Sequence, residues 1–339
     1  MSGRHAATTE LGAGEPVVEL LHPRLLAVLE RTPLFHALSR RHRRKVARLA
    51  EFRRYEDRAT IVRAGERGVA FYVVLDGEAR VVPVRGRGLD LSVGDYFGEL
   101  SLLDGAPRAA TVSAAGALTT ARIARLDFSG LLREEPTLAV GLLPGLVLVV
   151  RDLQRADAQR VPDLGRLGPS RSRGGEGDTA TEAVAAALEE RTALGWRLLL
   201  GHVALLQELP ERHLRRVARL AAIERYADGA TVVLAGAKGD SFHVILDGRA
   251  RVRTPSGHTR TLEANESFGE LALLDGAPRS ATVVAVGPLT TAQIRRADFQ
   301  RILRDEPTMA VGLSKSLVRT IRDMQQATRT SPGEKALFE

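Results

Sequence analysis

The chain has 339 residues, 44% of them apolar and none of them cysteine, which is enough for two or three domains with their own cores and excludes disulfides and thiolate metal sites. Its longest apolar run, Leu138 to Val150, has 13 residues and is interrupted by Pro144, short of the ~20 that a membrane-spanning helix needs, so no bilayer-spanning segment is expected. A net charge of +8 attracts phosphate backbones, yet 45 of the 49 basic residues are Arg and only four are Lys (Lys45, Lys238, Lys315, Lys335). Coding bias explains that skew better than a single binding face does, and nucleic acid is not expected as a partner.

Met1 to Pro16 lacks the charged start and apolar core of a secretory signal, which makes a cytoplasmic location the default expectation. Residues 1–22 read as a flexible tail. From Pro33 a helical pattern runs to about Phe52, with Leu38, Val46, Leu49 and Ala50 on one side and a basic run from Arg40 to Arg48 that reads as a solvated face. The period then changes to two. Thr60 to Arg63, Phe71 to Leu75 and Ala79 to Val84 read as short strands, with Asp76-Gly77 as a hairpin turn between the last two, and Val112 to Ala115 and Thr119 to Ile123 add two more. Many short strands with Gly-rich turns predict a small closed or sandwiched β structure. Helical spacing resumes at Asp127-Phe128 and continues to about Ala156, and Pro144 is expected to kink this helix into a hinge. Residues 158–183 hold Pro162, Gly165, Gly168-Pro169-Ser170 and Gly174-Gly175 without periodicity, the composition of a flexible linker.

Every element then recurs 171 residues later, without a gap from Leu34/Leu205 to Asp152/Asp323, with Asp247-Gly248 as the second hairpin turn. Between 97 and 142, about 33 of 46 residues are identical to their counterparts. A constant offset over so long a span means two copies of one domain. The expected boundaries are 23–157 for the first domain and 184–328 for the second, with 329–339 as a C-terminal tail.

The best-repeated stretch has a chemistry of its own. Gly98 allows a tight turn with close approach to a ligand, and Glu99-Leu100-Ser101-Leu102-Leu103 suits a single helical turn whose free N–H groups favour an anion. Ten residues on, Pro107 fixes the backbone ahead of Arg108, whose planar fork of donors matches a phosphate. Glu99 would repel that anion, and makes sense only if it accepts hydrogen bonds from a neutral hydroxylic group beside it, such as a ribose. Gly269, Glu270 and Arg279 repeat the arrangement.

This motif, Phe-Gly-Glu-Leu-(Ser/Ala)-Leu-Leu-x-x-x-Pro-Arg-(Ala/Ser)-Ala-Thr, resembles the phosphate-binding cassette of cyclic nucleotide-binding domains, as found in protein kinase A regulatory subunits and catabolite-activator-like proteins. The resemblance covers nearly the whole chain. It implies an α+β, mainly β fold: two tandem jelly-roll-like β-rolls, each flanked by N-terminal and C-terminal helices. It further implies that Arg108 and Arg279 bind a cyclic phosphate and that Glu99 and Glu270 bind the ribose 2′-hydroxyl. Gly98, Leu100, Ser101, Ala109 and Ala110 would complete the first cradle, and Gly269, Leu271, Ala272, Ser280 and Ala281 the second. The expected ligand is cAMP in both sites, with cGMP as the alternative, above all in the second, where Ser280 adds a hydroxyl that Ala109 lacks. Ser101 against Ala272 is a small change that should leave the backbone contacts intact.

No enzyme is expected, since the chain shows no Walker-type loop, no activated nucleophile and no paired metal carboxylates. His36, His42, His202, His213, His243 and His258 lack metal-ligand spacing. After the second set of helices too few residues remain for a helix-turn-helix module. The expected function is a tandem nucleotide sensor in which binding shifts the helices at 128–156 and 299–327 and so signals to an effector protein. By fold-level analogy alone the effector is kinase-like, although the N-terminal tail shows no convincing inhibitory sequence. A homodimer through the C-terminal helices is a further expectation. The alternatives are a transcriptional regulator without its own helix-turn-helix and a degenerate scaffold that binds no nucleotide.

Overall fold

In the computed structural model, which describes residues 8–11, 16–84, 88–160, 200, 203–257 and 259–330, the alternating apolar residues of the first copy are drawn into two long strands. β4 (Ala70–Pro83) and β7 (Ala110–Ala124) pair antiparallel along their length, from Ala70 opposite Ala124 to Pro83 opposite Ala110. Around them lie β1 (Thr8–Glu10), β2 (Ala50–Tyr55), β3 (Thr60–Val62), β5 (Leu89–Leu91) and β6 (Tyr96–Phe97). The sheet order is β1-β2-β7-β4-β5, with β3 also on β7 and β6 also on β4. One face of this roll encloses Tyr55, Tyr72, Val74, Val112 and Leu118.

Asp76-Gly77 is therefore not a hairpin turn. It is a bulge inside one 14-residue strand, marked by register shifts between Val74 and Asp76 and between Asp76 and Glu78. Gly77 sits at φ +80°, and a β-carbon there would stand 2.1 Å from the carbonyl oxygen of Ala117 on the paired strand. A left-handed residue in close contact lets the ladder bend without ending. Asp247-Gly248 does the same in the second copy, where the carbonyl of Pro288 would lie 2.2 Å away. Gly77→Ala is expected to cost about 2 to 4 kcal/mol, from a strained φ plus the clash. Gly116→Ala, also at positive φ but with open space around it, should cost less. Urea unfolding of the two variants side by side measures the difference.

The helix expected over 33–52 is shorter. Residues 32–38 form turns that bury Leu34, Phe35 and Leu38, and Ser39 then caps α2 (Arg40–Ala47) by accepting a hydrogen bond from the His42 N–H at 3.2 Å. Ala50 to Tyr55 leaves the helix for the sheet, because the spacing of Val46, Ala50 and Phe52 suits a helix end and a strand start equally well. The basic face of α2 is only partly solvated, since Arg41, His42 and Lys45 converge on Glu135. In the second copy His213 and Arg216 meet Glu306 in the same way.

Two elements fall inside the stretch read as a tail. β1 pairs Thr8 with Tyr55 at the sheet edge, and α1 (Pro16–Arg31) buries Leu21, Leu25, Val28 and Leu29 on one side while running through Pro23. That 3.6-residue spacing crosses residue 22, where the tail was expected to end.

After β6 comes the four-residue helix α3 (Ser101–Asp104), and after β7 the helices α4 (Arg125–Glu134) and α5 (Pro136–Arg160). Phe35, Phe71 and Phe128 meet edge-on at 5.5 and 6.1 Å, joining the N-terminal turns, the sheet and α4 in one core. Pro144 lies within α5, which continues through it as one helix. By length and composition the stretch Pro136–Gln154 could cross a membrane, more than the 13-residue apolar run suggested, but 44% of it is buried in the protein. Its apolar face, including Leu138, Leu142 and Leu143, is core. Gly141 and Gly145 let this helix approach Leu38 and the Pro33 carbonyl closely.

The contacts divide the chain into two units, 1–145 and 146–339. The second repeats the plan. A 3-10 turn (Ala204–Leu206) and α6 (Glu211–Ala218) precede β8 (Ala222–Tyr226), β9 (Thr231–Val233), β10 (Ser241–Arg253), β11 (Thr259–Leu262), β12 (Ser267–Phe268), α7 (Ala272–Asp275), β13 (Thr282–Arg295), α8 (Arg296–Asp305) and α9 (Met309–Thr330). Its sheet order is β11-β10-β13-β8, with β12 on β10 and β9 on β13. Each copy is thus a β-roll with helices on both sides in sequence, mainly β. The linker after residue 160 and the tail after residue 330 lie outside the described residues.

Candidate functional site

Both cassettes are built on the short stretch between the roll's last edge strand and its long return strand. In the first, β6 ends at Phe97, Gly98 turns the chain at φ +80°, and α3 follows with Leu100, Ser101, Leu102 and Leu103 buried. Gly105 at φ +62° closes the helix, and Asp104 accepts from the Ala106 N–H at 2.9 Å, aiming the chain through Pro107 to Arg108. The Arg108 backbone is pinned on both sides, its N–H to the Glu66 carbonyl at 2.8 Å and its carbonyl by the Gly65 N–H at 2.8 Å.

The Arg108 side chain returns to Gly98. Only 8% of Arg108 is exposed, and a β-carbon on Gly98 would stand 2.1 Å from its Nη1, so a side chain there would displace the guanidinium as well as strain the left-handed backbone. Nη1 donates to Ser101 Oγ at 3.2 Å and Nη2 to the Ala70 carbonyl at 2.5 Å. The guanidinium also lies 5.8 Å over the Tyr72 ring, which stacks on Phe97. Glu99 is half-buried beside Tyr96, whose hydroxyl is pushed up by burial and by the Glu99 charge. Ala109 and Ala110 lead directly into β7.

The second cassette repeats this with one exchange. Gly269 stands at φ +82°, and a β-carbon there would be 2.2 Å from Arg279 Nη1. Arg279 Nη2 donates to the Ser241 carbonyl at 2.6 Å and to Ser241 Oγ at 2.9 Å. Ser241 occupies the place of Ala70, and Ala272 that of Ser101. The hydroxyl that steadies the arginine has moved from the cassette helix to the strand beneath it. Ser101 is thus more than a neutral variant of alanine, and Ser241 is a site residue that single-motif reading missed. The reciprocal pattern, Ala70 with Ser101 against Ser241 with Ala272, is visible in the aligned repeats.

Arg279 is 8% exposed, and its Nε and Nη1 have no hydrogen-bond partner among the described residues. Buried donors left open are costly unless something supplies an acceptor. Gly269, Glu270, Leu271, Ala272, Arg279 and Ser280 line one cavity, together with Arg151 and Gln154, which the sequence did not point to. Ala281 follows as the last residue before β13. Burial pushes the Glu270 carboxyl up, against its own backbone N–H and the charges of Arg151, Arg260 and Arg279. Beneath Arg279, His243 takes the place of Tyr72 and stacks on Phe268 at 4.9 Å. Its ring nitrogens engage Ser241 Oγ at 3.1 Å and Thr291 Oγ1 at 3.2 Å, and burial, reinforced by Arg279, lowers its pKa to about 4. The cavity thus joins a buried cation with open donors, a carboxylate and a left-handed glycine, an arrangement suited to an anionic group with a hydroxyl next to it.

Comparison with known proteins shows the family. The sequence profile of the cyclic nucleotide-binding domain matches residues 52–135 and 223–306. A cAMP-dependent protein kinase regulatory subunit of Mycosarcoma maydis is 45% identical over 95 residues, 27% of this chain and 18% of that protein. Among solved structures, the regulatory domain of Toxoplasma gondii PKA with cAMP is 23% identical, over 92% of this chain and 98% of that one, with a TM-score of 0.32. The regulatory subunit of a cAMP-independent protein kinase A from Trypanosoma cruzi, bound to guanosine, is 18% identical over 96% and 95%, with a TM-score of 0.31. The two matched segments hold the two cassettes and the rolls that carry them, so the chain belongs to the cyclic nucleotide-binding domain family and has two such domains in tandem.

Proposed function

We propose that the protein is a cyclic-nucleotide sensor that takes up one nucleotide in each domain, binds it without turning it over, and reports occupancy to a protein partner. The observation that carries this reading is Arg279, buried behind Gly269 with Nε and Nη1 lacking an acceptor among the described residues. A phosphodiester supplies the missing acceptors and a compensating charge. In this reading Arg108 and Arg279 hold the cyclic phosphate. Glu99 and Glu270 accept from the ribose 2′-hydroxyl, and backbone N–H groups of Gly98, Glu99 and Ala109, or Gly269, Glu270 and Ser280, close around the phosphate.

The nucleotide is cAMP in both domains. A cGMP preference in the second site is the competing reading, favoured by the Ser280 hydroxyl at the cavity wall. One hydroxyl discriminates by only ~1 to 3 kcal/mol. Calorimetric titration of the whole chain with each nucleotide tests both. Two cAMP per chain, bound more tightly than cGMP, is expected; no binding of either refutes the sensor.

Transmission is supported by how the cassettes are backed. Gly105 and Gly276 lie so close to Arg125 and Arg296, the first residues of α4 and α8, that an added β-carbon would stand 3.0 and 2.7 Å from their guanidinium carbons. A cassette that moves on binding therefore carries the helices behind it, provided that the nucleotide binds the two arrangements unequally. Equal hydrogen exchange in α4, α5, α8 and α9 with and without nucleotide would count against this. A kinase-like effector follows from likeness to the regulatory subunit named above, and a cytoplasmic place of action and a dimer through the C-terminal helices belong to the same reading.

A further inference from the structure

The second cavity has two lining residues from outside its cassette. Arg151 and Gln154 sit three apart on α5, so they share one face, and both belong to the unit that contains the second cassette. Arg151 forms a two-pronged ion pair with Asp275, Nε to Oδ2 at 2.6 Å and Nη2 to Oδ1 at 3.1 Å. Both side chains are largely withdrawn from solvent, at 16% and 17% exposure, so water screens the pair poorly. Asp275 ends the cassette helix α7, and its Oδ1 also accepts from the Ala277 N–H at 3.0 Å, two residues before Arg279.

Asp275 presents a problem for an anion site. It shapes the turn that delivers Pro278 and Arg279, yet it brings a negative charge to Ala277 and Arg151, both of which line the cavity. A guanidinium clamped on it solves both difficulties. It cancels the charge and holds the carboxylate where the Ala277 N–H needs it. The charge of Arg151 is also felt at Glu270, where it favours the carboxylate form that would accept from a ribose hydroxyl.

We propose that Arg151 is a positioning residue of the second nucleotide site, neutralising Asp275 at the rim of the cavity and holding the turn that presents Arg279. The inference rests on the nucleotide-binding reading above. It places the control of the second site's affinity partly in α5, outside the cassette that binds the phosphate.

The test is calorimetry with cAMP on the full chain carrying Arg108→Ala, which leaves the second site to be read alone. Adding Arg151→Ala should weaken that site by about 10- to 100-fold, because the carboxylate that holds Ala277 at the cavity wall is then uncompensated. Adding Asp275→Asn to Arg151→Ala should recover most of the loss, since the amide removes the repulsion while its oxygen still accepts from Ala277. A residue that merely staples the fold, or one that touches the ligand itself, would show no such recovery. Arg151→Lys keeps the charge and should stay within about 5-fold of the parent, which preserves a readout if alanine disturbs folding. The first site, read in an Arg279→Ala chain, should not respond to Arg151→Ala. Unchanged second-site affinity in Arg151→Ala, or no recovery in the double variant, overturns this inference alone. Absence of any nucleotide binding by the Arg108→Ala chain with Arg151 intact overturns the sensor reading together with it.

Discussion

Replacing Arg279 by alanine should remove one of two nucleotides per chain, with a loss of about 2 to 5 kcal/mol, or roughly 30- to 4,000-fold, in the affected site. The size follows from burial. Arg279 is 8% exposed and is held against the Ser241 carbonyl and hydroxyl, so a phosphate beside it is screened by little water and depends on the guanidinium for its counter-charge. Part of the cost is the phosphate left without that partner; the remainder is lost hydrogen bonds. Arg108→Ala should have the corresponding effect on the first site, leaving the second intact. Calorimetric stoichiometry of the two single variants and the double variant decides the matter: one, one and none are expected. Two nucleotides bound with unchanged affinity by Arg279→Ala would show that the cassette is not the site. Arg279→Lys should fall between, because an ammonium keeps the charge but cannot reproduce the planar fork that engages Ser241 while leaving Nε and Nη1 open.

Acid should destabilise the second unit through His243, whose counterpart in the first is Tyr72. His243 is fully buried, and its pKa is lowered from 6.5 to about 4 by burial, with Arg279 adding to the effect and Asp240 opposing it. The neutral ring is therefore the form that folds. When the chain unfolds, the imidazole regains its ordinary value and takes up a proton anywhere between pH 4 and 6.5, so the unfolded state binds more protons in that window. The contribution of His243 is complete above about pH 6.5 and is lost as the pH falls toward 4, to a total of about 3 kcal/mol. His243→Tyr, which installs the residue that the first copy has at Tyr72, should abolish this dependence. The check is urea unfolding of parent and variant at pH 7 and pH 4.5. A parent-minus-variant difference that does not change with pH would mean that His243 is not buried as a neutral ring.

Much of the site was legible from the chain because its parts are contiguous. Gly98, Glu99 and Arg108 lie within eleven residues, and their return at Gly269, Glu270 and Arg279 separates the motif from chance. What escaped notice depends on residues that meet across the roll. Ser241 is 38 residues from Arg279, and its hydroxyl matters only because β10 passes beneath the cassette. Arg151 is 124 residues from Asp275. His243 read as an ordinary histidine until its stacking on Phe268 placed it under the arginine.

The same division runs through the fold. Local pattern and duplication determined that each copy is helix, β-roll and paired helices, because side-chain period and an offset of 171 residues are properties of the chain alone. Local pattern could not tell a bulge from a turn at Asp76-Gly77. The same left-handed glycine serves both, and only pairing with β7 on either side makes the two expected strands one. Nor could it tell where α2 yields to β2, because Ala50 and Phe52 suit either element until the edge of β7 claims them. The arrangement of charge around the second cavity belongs to tertiary structure for the same reason: Arg151, Asp275, Glu270 and Arg279 act on one another through space, over distances that sequence separation does not record.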